Sequence, residues 1–376
     1  MKLNTKRTML VGLAFLSICI FWQMYDSVMT LILTDTFHLN ETIAGAVMAA
    51  DNVLALFLLP LFGALSDKTN MRIGRRMPYI IGGTAAAVVL MNLLPVLDNA
   101  YAASPSPLIL GLFIAALALL LVAMGVYRSP AVALTVKEKR LSEENRALEK
   151  QHPDWNLAAK DESGNEVLPK EVKRSLTFLL ASISLWFIAY NGVTTWFTKY
   201  IEQVMGEGLG GASTCLLVAT AGAICSYIPI GALAAKIGRK RTIQLGVALL
   251  TLCFLLGFVL TCTSSVITPV MYVVFALVGL AWAAINVNSL PMVVEMCRGS
   301  DIGRFTGYYY TFSMVAQVVT PIAAGSLMRA IDYRVLFPYA AIFSALSFVT
   351  MCFVRHGDAK AEAKKGLEAF EDMDVE

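Results

Sequence analysis

Two aspartates, Asp26 and Asp51, each interrupt a long apolar run. A charge at the centre of a membrane-spanning helix costs about 2.5–3.5 kcal/mol on insertion scales, so each needs a reason. Asp51 lies sixteen residues before Asp67, which marks the polar end of its run. At a rise of about 1.5 Å per residue that is about 24 Å, past the middle of a bilayer. Asp26, counted from Thr8 at the start of its own run, falls at a similar depth. Both can therefore face one cavity. Desolvation disfavours the charged form of any carboxylate and brings proton exchange toward neutral pH. Such a pair can carry a proton, or it can coordinate Na⁺ through hard oxygen ligands. The plainer reading is a polar side chain that lines water or bonds a neighbouring helix.

Other polar residues sit in similar apolar settings. Arg128 lies about one turn inside the end of its run. It can bond hydroxyl groups, pair with a carboxylate, or extend along its stem to the interface. Glu295 is the roughly matching charge in the second half. Gln23, Asn52, Asn191, Asn286 and Asn288 place amides within or beside apolar runs, with Tyr25, Trp22, Tyr190 and Trp196 among them. Amides beside aromatic faces suit a sugar-like ligand. For Trp196 and Tyr308–Tyr310 the alternative is the aromatic belt at the membrane interface.

Other chemistries find no support. The three histidines (38, 152, 356) fall in expected loops, so no histidine relay is expected. The seven cysteines form no CxxC pair, which argues against zinc and against a disulfide scaffold. No Walker lysine follows the glycine patterns and no Ser/His/Asp set is available, so no enzyme activity, cofactor or metal centre is expected.

The elements that hold these residues follow from composition. The chain has 376 residues, 57% hydrophobic and 15% charged, with a mean hydropathy of +0.66. A soluble domain carries about 25% charged residues. This chain is therefore expected to be an integral, all-α membrane protein. Ten windows are long enough to span a bilayer: about 8–33, 43–66, 78–97, 107–130, 176–203, 213–235, 243–262, 267–291, 305–328 and 336–354. They are continuous rather than alternating, which sets aside a β-barrel. The start resembles a secretory signal, but its apolar run continues to Leu33 without a small-x-small site, so it reads as a first, uncleaved span. All of the 30 Lys and Arg except Arg128, Lys199, Arg329 and Arg334 fall on one side of the spans. That asymmetry puts both termini in the cytoplasm. The net charge of +3 reflects it, and no nucleic-acid partner is expected.

The spans form two unequal halves. GALSDKTNMRIGRR at 63–76 and GALAAKIGRKR at 231–241 each follow the second span of a half as a basic turn. Gly63 lies as far beyond Thr8 as Gly231 lies beyond Leu176. The fourth spans also end alike, RSPAVAL at 128–134 against NSLPMVVEM at 288–296. After Pro291 two more apolar spans follow, whereas after Pro130 nothing apolar follows until 176. The expected organisation is a four-span bundle at 1–134 and a central cytoplasmic loop at 135–175, with a short helical signal at LSEENRALEK. A six-span bundle at 176–354 and a cytoplasmic tail at 355–376 complete it. Losing an even number of spans keeps the orientation of all that follows.

GALSDKTNMRIGRR resembles the signature between the second and third helices of the major facilitator superfamily, and GALAAKIGRKR its weaker copy. DNVLALFLLPLFGALSDKT at 51–69, GRRMPYIIGG at 74–83, YRSPAVAL at 127–134 and NSLPMVVEM are similar to the branch of sucrose/proton and glycoside–cation symporters. The resemblance implies two helix bundles with substrate near the midplane and rocking alternating access. Ten spans here depart from the family's twelve and look like a chain without its fifth and sixth helices. The resemblance further implies cation-coupled sugar symport in the plasma membrane. Asp51 and Asp26 would couple the proton or Na⁺, and Gln23, Tyr25, Asn52, Arg128, Asn191, Asn286 and Asn288 would meet the sugar. Gly63, Asp67, Gly74, Arg75, Arg76 and Glu295 would gate, with the first basic turn latching the bundles. Ala235 stands where the second copy would need its aspartate, so only the first copy is expected to latch. Two alternatives stand beside this. One is an efflux antiporter of the same superfamily. The other is a non-transporting or inactive truncated membrane protein, because an absent helix pair would open a polar cavity to lipid.

Overall fold

The computed structural model describes residues 21–22, 24–26, 28–68, 77–133, 159–160, 166–206, 208–296 and 302–358. Among them, α1 covers residues 21–31 and widens into a π-helical turn at Ile32–Thr36. The Phe37 N–H reaches back five residues to the Ile32 carbonyl, and Thr34 Oγ1 donates to the Thr30 carbonyl at 2.9 Å. His38 takes the left-handed conformation (φ 52°) as the chain reverses. Asn40 then caps the next helix, its Oδ1 accepting the Ile43 N–H at 2.9 Å. That helix is α2, Glu41–Lys68, with Glu41 in its first turn where the helix dipole favours an acid. Next come α3 (Met77–Ala103) and α4 (Pro107–Ala133), which opens on a proline suited to a first helical position.

Between α4 and the next helix, the described residues hold a two-stranded antiparallel ladder, β1 (Ala159–Lys160) against β2 (Glu166–Val167). LSEENRALEK and Gly74–Arg76 lie outside the described residues. The second half then runs α5 (Lys170–Met205), α6 (Leu209–Ile237), α7 (Arg239–Thr263), α8 (Pro269–Val294), α9 (Ile302–Ala330) and α10 (Leu336–Cys352). A short 3-10 turn, Tyr333–Val335, leads into α10. α5 begins at Lys170, ahead of the apolar window at 176. Pro169 flanks its start and Glu171 sits in its first turn, so a polar helical turn precedes the apolar stretch. It ends on Gly206, whose φ of 68° is the left-handed cap that glycine adopts without strain.

Eight described helices, α3 through α10, are long and apolar enough to cross a membrane. The ten hydropathy windows coincide with α1–α10 to within a few residues at most ends, so the all-α reading holds. Val88, Val89 and Ile228 point outward as lipid-facing side chains do. Inside, small residues let helix backbones touch, the usual basis of association where lipid is as apolar as the core. A Cβ on Gly279 of α8 would overlap the Ala219 carbonyl of α6. α10 is tied to α5 by Ser182 and Thr350, whose hydroxyls lie 2.7 Å apart. α9 packs on α5 of its own half and also along α2, and that crossing brings the two halves together.

Candidate functional site

Four helices from both halves each give one helical turn to a shared cavity of about 140 Å³. α1 supplies Trp22 and Asp26, and α2 supplies Met48, Asp51 and Asn52. α5 supplies Asn191 and Thr195, and α9 supplies Gln317 and Pro321. Spacings of three or four residues put each set on one helix face, so the cavity is built from repeated use of a single helical rule. Its volume holds a few waters, each taking about 30 Å³ in the liquid. Sites for drug-sized ligands run to about 300–1,000 Å³, so a sugar needs the halves to part further than they do here.

The lining is polar and mostly acceptor-rich. Asn52 Nδ2 donates to Asp51 Oδ1 at 2.8 Å, which fixes the carboxylate beside its neighbour. Asn191 Nδ2 is turned back to the Phe187 carbonyl at 2.9 Å. Gln317 Nε2 donates to the Ser313 carbonyl at 3.2 Å. Pro321 has no N–H, so the Gln317 carbonyl lacks its ordinary helical donor. The Pro321 carbonyl is bonded from within the second half by Trp196 Nε1 at 3.0 Å. The described lining therefore carries two carboxylates and neutral groups.

Of the residues singled out in the sequence, Asp26, Asp51, Asn52 and Asn191 meet here. Tyr25 is buried beside them with its hydroxyl unpartnered among the described residues. Asn286 and Asn288 are not part of this lining. Asn288 is buried and bonds the Ala284 carbonyl at 2.8 Å. Glu295 forms an ion pair with Arg239 between the α8 and α7 ends, within the second half. Trp196 is fully buried, so it belongs to the core and not to an interfacial belt. Gln23, Gly74, Arg75 and Arg76 lie outside the described residues. Gly63 and Asp67 fall on α2 and Arg128 on α4, with their side chains outside the described set. Met48, Thr195, Gln317 and Pro321 are lining residues that the sequence reading missed. Gln317 gave the one usable signal, an amide inside an apolar window.

Comparison with known proteins bears on what such a cavity belongs to. Residues 211–372 match the family model described as Major Facilitator Superfamily, and residues 30–149 match the one described as PUCC protein. A bacterial homologue of the iron transporter ferroportin, in an inward-facing state, superposes with a TM-score of 0.62 at 12% identity, over 88% of this chain and 94% of that one. A mutant form of the nucleoside transporter NupG gives 0.57 at 14% identity, over 89% and 96%. The chain has the major-facilitator fold.

Within the major-facilitator fold the cavity is closed at one end by tight helix crossing. A Cβ on Gly45 of α2 would overlap the Pro321 carbonyl of α9. One on Gly325 would lie 2.5 Å from the Glu41 carbonyl and 2.6 Å from the Trp196 ring. Ser326 Oγ donates to Thr42 Oγ1 at 3.1 Å. All these residues lie on the side of the cavity remote from the basic 231–241 turn.

Proposed function

We propose that the chain is a member of the major facilitator superfamily and a secondary active transporter. In this reading it carries a sucrose- or maltose-like glycoside with a proton or Na⁺ by alternating access. The observation that supports it most is the meeting of Asp26 and Asp51 with Asn52, Asn191, Thr195 and Gln317 around one cavity between the halves. The carboxylates take the cation, and the amides and hydroxyl order the sugar. The 63–76 turn serves as a cytoplasmic latch, with both termini in the cytoplasm and the chain in the plasma membrane. The first bundle is short of two helices relative to the second, since the sequence holds no apolar run between Pro130 and residue 176.

Purified protein in proteoliposomes tests the reading. An imposed pH or Na⁺ gradient is expected to drive sucrose or maltose above its equilibrium level, and an ionophore is expected to collapse that accumulation. Gradient-driven uptake of a nucleoside or a metal ion, with none of a glycoside, would replace the sugar assignment. Absence of any gradient-driven flux would favour the non-transporting alternative.

A further inference from the structure

We infer that Lys199 is the hub of an extracellular gate that joins the two halves through Asp35 and keeps Glu202 as its partner when they separate. The inference rests on the alternating-access reading above and on the orientation given by the basic turns.

Lys199 sits on α5 one turn beyond Thr195, about 6 Å outward of the cavity along the helix. It is buried, with its side chain 4% exposed. Its ammonium pairs with Asp35, in the π-turn of the other half, and with Glu202 at 2.8 Å on its own helix. Beside this pair, Tyr333 donates its hydroxyl to Glu41, again across the halves, and Ser326 meets Thr42. The charged groups in these contacts are Asp35, Glu41, Glu202 and Lys199, with Asp332 and Arg334 flanking Tyr333.

The arrangement solves a problem that any gate built on a buried charge faces. An ammonium stripped of its partner inside a protein is strongly destabilising. Glu202, three residues along the same helix, moves with Lys199 and stays in reach however far α1 travels. Asp35 and Glu202 have side chains 40% and 37% exposed, so Asp35 regains water as soon as it leaves. Parting the halves therefore exchanges one ion pair for hydration and strands no cation. The Gly45–Pro321 and Gly325–Glu41 crossings provide close backbone contact that re-forms on closing. The π-turn offsets the register of α1 just where Asp35 must reach across.

The test uses the full chain, free of native cysteines, with Thr195→Cys as reporter in proteoliposomes of known sidedness. A membrane-impermeant thiol reagent is added from the side opposite the 231–241 turn. Asp35→Asn removes the cross-half ion pair at an exposed position that tolerates the change. It is expected to raise the labelling rate about two- to fivefold, the range of a partly exposed ion pair. A second variant, Thr42→Cys/Ser326→Cys without the reporter, is expected to cross-link readily, and less so once Asp35→Asn is added. An unchanged labelling rate together with an unchanged cross-linking yield would overturn the gate. Neither readout needs a solute, so a failed sugar assay and a failed gate are separate results.

Discussion

α1 and α2 bring two carboxylates to the cavity wall, while α5 and α9 bring an amide, a hydroxyl, a second amide and a proline. Both carboxylates of the described lining thus come from the first half, which also adds the Asn52 amide, while the second half adds only neutral groups. Each set comes from one turn on each of two helices, and the packing of α9 along α2 brings the two sets together. The contrast teaches that, in the proposed function, coupling depends on the halves meeting. The same division separates the two basic turns, since only the first carries an aspartate and the second has Ala235 in its place.

The largest expected effect comes from forcing the halves apart. Gly45→Leu places a side chain where even a Cβ overlaps the Pro321 carbonyl. Transport should fall more than about tenfold, as expected for overpacking that costs about 1–3 kcal/mol at the closure. The protein should still fold, which size-exclusion behaviour in detergent will show. Wild-type flux in this variant would mean the crossing is not needed.

A smaller effect separates the two halves' roles. Asn191→Leu and Gln317→Leu are expected to raise the KM for solute about tenfold, the loss of roughly one buried hydrogen bond, with the cation-to-solute ratio unchanged. A changed ratio with an unchanged KM would reverse the assignment of roles.

The smallest expected effect concerns the rigidity of the second half alone. The 355–358 segment returns to that half, where Asp358 Oδ1 accepts the Lys240 N–H at 3.1 Å over the start of α7. The same segment places His356 Nδ1 2.8 Å from Ser175 Oγ on α5. Asp358→Ala removes a helix cap worth about 0.5–2 kcal/mol. The melting midpoint should drop by a few degrees while transport by the remaining protein is retained. An unchanged midpoint would show that the cap contributes nothing.

Much of the fold was legible in the sequence because each helix is a long, mainly apolar run and most of its ends are charged or glycine-bearing. Asp26, Asp51 and Asn191 stood out for the same reason, as polar groups inside such runs. Thr195, Met48 and Pro321 did not, since threonine, methionine and proline are ordinary in spanning helices and reveal a cavity only once the helix face is known. Lys199 was visible only as an exception to the charge asymmetry. Its partner Asp35 and the Tyr333–Glu41 pair join distant parts of the chain, which local pattern does not encode. Glu295 was read as a gate because it matches a charge in the first half. The structure gives it Arg239, a neighbour that belongs to the second basic turn.

The account turns on Asp51 as the group that ties cation movement to solute movement. The direct measurement compares gradient-driven accumulation of the proposed glycoside solute with its equilibrium exchange, in proteoliposomes holding wild-type or Asp51→Asn protein. The account predicts that the variant still exchanges solute across the membrane and no longer accumulates it under a pH or Na⁺ gradient. Accumulation by Asp51→Asn equal to the wild type, with the same gradient dependence, would contradict it.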